Sequence, residues 1–173
     1  MLCLAPQARA QAGATFSASA KVTTAAGVTS TAPVSVMVDR FSTDADRDEV
    51  MAAIKKGGTE SVRSTLLTRP PIGTLKIGNA TTAIKYVYER TTPEGRLVTA
   101  VTGSAIAYVG GAAPGAKPKS GFSLGLVILV VPTTGAGHGE LSPATKVRLD
   151  DKGAIVTDGY SDDVVQLTNV VRK

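Results

Sequence analysis

The chain has 173 residues, the size of one domain and long enough to bury a single hydrophobic core. One cysteine, one histidine and no tryptophan exclude thiolate zinc sites, disulfide frameworks and multi-histidine metal centres. The net charge of +5 is spread along the chain, its densest groups (Lys55-Lys56 and Lys117/Lys119) have no aromatic residue beside them, and no apolar run reaches the ~18 residues of a membrane helix, so neither nucleic acid nor a membrane span is expected.

The first residues, Met1 to Ala12, end in Ala10-Gln11-Ala12, which fits the small-x-small rule of an export cleavage site. Residues 1–12 are therefore expected to be the remnant of an export signal that starts further upstream. Residues 13–173 are expected to form a single β-rich domain in the periplasm or outside the cell. A disordered cytoplasmic leader is the competing reading. Cleavage after Ala12 would remove Cys3, the one thiol, and Cys3 is not preceded by the apolar helix that a lipoprotein anchor needs.

Phe16, Ala18, Ala20 and Val22 alternate with Ser17, Ser19 and Lys21, a period of two that predicts a half-buried strand. Val34, Val36 and Val38 alternate with Ser35, Met37 and Asp39 and predict a second strand, with a turn near Gly27 between the two. The period then lengthens. Ser42 or Thr43 is placed to cap a helix over Ala45–Lys56. Asp44, Asp46, Asp48 and Glu49 lie at the positive end of its dipole, Lys55 and Lys56 at the negative end, and Val50 and Ile54 lie on one face. Gly57-Gly58 is the stop. A second short helix follows from Thr59, with Val62, Leu66 and Leu67 as its apolar stripe and Pro70-Pro71 as its end.

From Ile72 the pattern is β almost to the end. Leu75 and Ile77 define one strand, and Ile84, Tyr86 and Tyr88 one face of the next. The turn Thr91–Gly95 leads to Leu97, Thr99 and Val101. Residues 110–119 read as a loop. Phe122–Val131 is nearly all apolar and fits a strand buried on both faces. Gly135–Gly139 reads as another loop, Asp151-Lys152-Gly153 as the turn of a hairpin, and Val164–Val171 as a last strand. This order predicts an α+β fold, mainly antiparallel β, as a curved sheet or partial barrel with a helix pair inserted after the second strand. A two-sheet β-sandwich is the alternative.

The run Val38-Asp39-Arg40-Phe41-Ser42-Thr43-Asp44 with its following helix, and the closing Val164-Val165-Gln166-Leu167-Thr168-Asn169-Val170, resemble an uncharacterised family of secreted or periplasmic bacterial proteins of unknown function. The resemblance covers roughly Pro33 to the end. It implies an exported protein and brings no activity, ligand or site residue with it.

Each chemical motif has a plainer structural reading. Asp44, Asp46 and Asp48 imitate the start of a calcium loop, but Glu49 and Lys55 stand where the EF-hand pattern needs glycine and glutamate, so helix-start acids explain them better. Gly135-Ala136-Gly137-His138-Gly139 is glycine-rich like a phosphate loop, yet Pro143 and a strand pattern follow it instead of a helix. His138, the only imidazole, reads as an exposed loop histidine. Asp150-Asp151 and Asp162-Asp163 are neighbours that point apart on a strand, which leaves cooperation with Glu89 or Glu140 as the route to paired carboxylates. Tyr86 and Tyr88 are candidates to line a pocket, with core packing as the bland reading.

No residue is accordingly assigned to catalysis, to a cofactor or to a metal. The expected function is an exported, non-enzymatic binding or structural protein of the bacterial envelope, whose partner is an envelope component or a small ligand. The alternatives are a hydrolase or lyase built on carboxylates, with or without His138, and a small barrel carrying an apolar ligand. A filled interior favours the first, acids converging on His138 the second, and a pocket lined by Tyr86 and Tyr88 the third.

Overall fold

A computed structural model of the chain describes residues 12–23, 29–106, 121–149, 155–159 and 165–173. Among these, strands β1 (Ala12–Thr23) and β2 (Thr29–Arg40) precede helix α1 (Asp44–Leu67). There follow β3 (Gly73–Ile77), β4 (Ala80–Thr92), β5 (Gly95–Thr102), β6 (Leu124–Val131), β7 (Gly137–Leu149), β8 (Ile155–Gly159) and β9 (Val165–Arg172). Every pairing is antiparallel, in the order β6-β5-β4-β3-β2-β1-β9-β7, and β7 pairs back with β6. The ring therefore closes into an eight-stranded barrel. The partial barrel expected from the sequence is corrected to a closed one, and the sandwich does not form. Closure leaves no open edge in the ring, whereas a partial barrel would expose two. β7 is long enough to serve two partners end to end: Gly137–Leu141 pairs with β9, and Thr145–Leu149 with β8.

The alternation read from the sequence has a physical destination. Phe16 and Ala20 of β1, Val34, Val36 and Val38 of β2, and Leu75 and Ile77 of β3 point into the barrel and are buried. Ile84 and Val87, Val98 and Ala100, Val127 and Leu129, Leu141, and Val165, Leu167 and Val170 complete the filling from the other five walls. Eight strands enclose an interior about wide enough for side chains to fill, and here they fill it. Each fully buried Leu or Phe contributes roughly 1.5–3 kcal/mol of transfer free energy, which makes this interior the main source of stability.

Helix α1 covers the outside of the wall. Its Val50, Ala53, Ile54, Val62 and Leu66 pack on Tyr86, Val101, Leu124, Leu126 and Val147. β6 is thus apolar on both faces, as its sequence predicts: Val127 and Leu129 face inward, while Leu124 and Leu126 face the helix. Thr43 caps the helix in a capping box, its hydroxyl accepting from Asp46 N–H at 3.2 Å and its own N–H donating to Asp46 Oδ2 at 2.8 Å. Ser42 serves elsewhere, exchanging hydrogen bonds with the backbone of Val87. Gly57 and Gly58 break the helix into the expected pair, Gly58 at φ 59°, a conformation that L side chains rarely adopt. The break lets Thr59 turn inward, where its hydroxyl bonds both the N–H and the carbonyl of Val147 and ties the second half of the helix to β7.

Three sequence expectations are corrected. Gly137–Gly139 opens β7 and is no loop, and Pro143 lies within that strand. Tyr86 and Tyr88 do not share a face with Ile84: the register slips between Ile84 and Tyr86, so Lys85 is an extra residue. This bulge sends Ile84 and Val87 inward and Tyr86 outward beneath the helix. His138 stands on β7, exposed, and not in a loop. The Gly27 turn, residues 110–119, the Asp151-Lys152-Gly153 turn, the Asp150-Asp151 and Asp162-Asp163 pairs, Cys3 and residues 1–11 of the proposed export segment lie outside the described residues; Ala12, the last residue of that segment, opens β1 opposite Arg40.

Candidate functional site at the barrel mouth

One end of the barrel gathers the end of β2, the β4–β5 turn, the β6–β7 connection and the end of β9. Here the inward-facing pattern changes from aliphatic to charged. On β4 the bulge at Lys85 places Glu89 in step with Val87, so its side chain enters the barrel and is only 1% exposed. On β5, Arg96 is in step with Val98, which pairs with Glu89. On β9 a second bulge acts. Asn169 has φ 54°, and the registers with both β1 and β7 slip there. Val165 and Leu167 face inward before it, Val170 and Arg172 after it. Without the extra residue, Val171 would point in and Arg172 out. Asparagine is among the few residues apart from glycine that tolerate the left-handed conformation.

The two bulges bring Glu89 and Arg172 together, and Arg96 joins them. Arg172 Nη1 donates to Glu89 Oε1 at 3.2 Å, and Arg96 Nη1 pairs with the same oxygen at 3.4 Å. The guanidinium of Arg172 also lies over the rings of Phe16 and Phe41, 5.7 and 5.9 Å from their centroids. Glu89 Oε2 is buried without a hydrogen-bond partner. The arginines remain 50% and 37% exposed. They open onto a cleft of about 480 Å³ whose walls include Pro93, Val131, Pro132, Val170 and Val171. Gly95 closes the β4–β5 turn beside it at φ 133°, where a Cβ would run into the Val131 carbonyl.

Of the residues weighed from sequence, Glu89 is at the mouth, paired with two arginines and not with a second carboxylate, and the others among the described residues fall elsewhere. His138 is exposed on the outer face of β7, two residues from Glu140, which accepts from Gln166 at 3.4 Å. Among the described residues no group of three His, Cys, Asp or Glu side chains is placed to hold a metal ion, and no helix is long and apolar enough to cross a membrane. The tyrosines belong to the helix interface. Their rings stack at 6.4 Å, Tyr86 is buried and its hydroxyl is pushed to a higher pKa by that burial, and Tyr88 donates to Asp44 Oδ1 at 2.7 Å, which also raises its pKa. Asp44 and Asp46, candidates for a calcium loop, hold the helix instead. Partial burial raises the Asp46 pKa, but the Thr43 hydrogen bonds and the Arg69 charge outweigh it and keep the carboxyl below the ordinary aspartate value. Arg69, just past the helix, reaches back to Asp46 at 3.0 Å and to Glu49.

Arg96 and Arg172 carry no motif, so sequence reasoning passes over them. The available signal is a phase slip. Val165 and Leu167 keep one phase and Val170 the other, with the polar pair Thr168-Asn169 between them. No protein-family model matches the chain, and no curated protein or solved structure matches it either.

Proposed function

We propose that this protein is an exported, non-enzymatic binding module, and that its ligand sits in the cleft at the barrel mouth. The observation that carries the reading is the contrast between a lumen occupied by side chains from every wall and an open, apolar-walled cleft at one end. A ligand needs concave surface with a few placed polar groups, and the mouth supplies both. Export is supported by the Ala10-Gln11-Ala12 pattern and by the resemblance of the Val38–Asp44 run to secreted bacterial proteins. A small barrel carrying an apolar ligand is a related reading, with the lumen in place of the mouth; the packed lumen weighs against it.

The test is direct because the chain has no tryptophan. Thr133 is exposed on the cleft rim, so a Thr133→Trp variant carries a single indole at the mouth. A panel of small organic compounds is screened by thermal shift, since a ligand of the folded state raises Tm. Compounds that raise Tm are expected to shift the indole emission. Compounds that raise Tm, leave the emission unchanged and lose their effect on Leu129→Ala substitution would place the ligand in the lumen and overturn the reading.

A further inference from the structure

We infer that the mouth takes a small carboxylate with a short apolar tail, its head on Arg96 and Arg172 and its tail against Val131 and Pro132. The inference deepens the mouth reading and rests on it. Three observations carry it.

The first is a surplus of charge. Two guanidiniums face one carboxylate, so the cluster keeps one positive charge after internal pairing. The second is how the pairing is made. A cluster built only to tie strands together would satisfy both oxygens of a carboxylate as deeply buried as Glu89. Here both arginines reach Oε1, and Oε2 is left with no partner. A guanidinium has five N–H donors, so sharing one oxygen between two of them leaves donors over. The third is where the arginines lie. Arg96 and Arg172 both line the cleft, while Glu89 does not, and the rest of the lining is half valine and proline and half threonine and glycine. Arg172 is steadied by Phe16 and Phe41 beneath it, so little side-chain freedom is lost when a ligand arrives. A planar fork beside apolar walls suits a planar carboxylate with a hydrocarbon behind it.

Glu89 is then a positioning residue. It holds the two arginines at the mouth and competes with the incoming anion for them.

The experiment compares one tail with different heads, and one head without a tail, by titration calorimetry on the full chain. Octanoate is expected to bind. Octanol is expected to bind at least ~10-fold more weakly, since it cannot make the charge-assisted hydrogen bonds of a carboxylate to the guanidiniums. Octylamine and acetate are expected to show no measurable binding. Arg96→Gln should weaken octanoate ~10-fold or more and leave octanol unchanged; Arg96→Lys, which keeps the charge without the fork, should fall between. Glu89→Gln should tighten octanoate, an effect that a purely structural glutamate would not produce.

Octanol binding as tightly as octanoate, or octanoate indifferent to Arg96→Gln, would overturn the anionic head. If the Thr133→Trp emission still responds in that case, the mouth reading stands on its own. Acetate binding as tightly as octanoate would overturn the tail. Octanoate binding with no response from the Thr133→Trp reporter would overturn both readings, and no binding by octanoate would overturn the inference.

Discussion

Two ion-pair clusters on this barrel are mirror images in composition. Under the helix, Arg69 stands between Asp46 and Glu49, one cation against two carboxylates. At the mouth, Glu89 stands between Arg96 and Arg172, one carboxylate against two cations. In each the minority charge is the most buried member: Arg69 is 17% exposed and Glu89 1%. The clusters differ in what surrounds the majority. Asp46 is also bonded by the helix cap, so its charge is used within the fold. The two arginines face a cleft, so theirs is turned toward solvent. The comparison separates a charge cluster that fastens a helix from one that presents a charge.

The largest expected effect comes from removing a partner of the more deeply buried charge. Arg172→Met leaves Glu89 paired with Arg96 alone and should cost about 2 kcal/mol, because a deeply buried carboxylate loses a charge-assisted hydrogen bond. Arg69→Met leaves two carboxylates that water can reach and should cost about 1 kcal/mol. Urea denaturation of both variants checks the ratio, and adding Glu89→Gln should recover most of the loss in the first case only. A reversed order would mean that the mouth glutamate is better solvated than its burial indicates.

A second change acts on the backbone. Asn169→Val forces a β-branched residue into the left-handed conformation and should cost about 2 kcal/mol, whereas Asn169→Gly should be close to neutral. Thermal melts of the two variants make the test. Equal loss in both would point to the asparagine side chain and not to the bulge.

The smallest effect is acid sensitivity of the helix clamp. The folded state holds the Asp46 carboxyl below its ordinary value of 3.8, so folding favours the deprotonated form. The stabilisation from this group is complete above about pH 4–5 and is lost as pH falls through the lowered folded value. Asp46→Asn should therefore be less stable than the native chain at neutral pH, and the gap should narrow toward pH 2–3. A gap that does not change with pH would remove the charge from this account and leave only the hydrogen bonds.

The elements were legible where one period ran without interruption. The Val34/Val36/Val38 alternation, the capped helix start at Thr43, the glycine break and the two-sided apolar run of β6 all follow from residue type and spacing. Closure was not legible, because it depends on β1 meeting β9 from opposite ends of the domain, and no local pattern encodes that pairing. The mouth was not legible either. One extra residue in a strand exchanges its two faces, and the bulges at Lys85 and Asn169 decide that Glu89 and Arg172 point inward. Straight alternation through Lys85 puts Tyr86 and Tyr88 on the same face as Ile84, and the same miscount turns Glu89 away from the lumen.

The pairing of β1 with β9 also sets an order of events. On a ribosome β1 emerges long before β9, and the seam between them cannot be sealed until β9 has been made. Until then the growing ribbon carries a bare hydrogen-bonding border along β1, open to any other nascent strand. Contacts this distant along the chain are also slow to form in refolding experiments. The strand that completes the wall is the same one that delivers Arg172 beside Glu89, so the ring cannot close without bringing the charged mouth together.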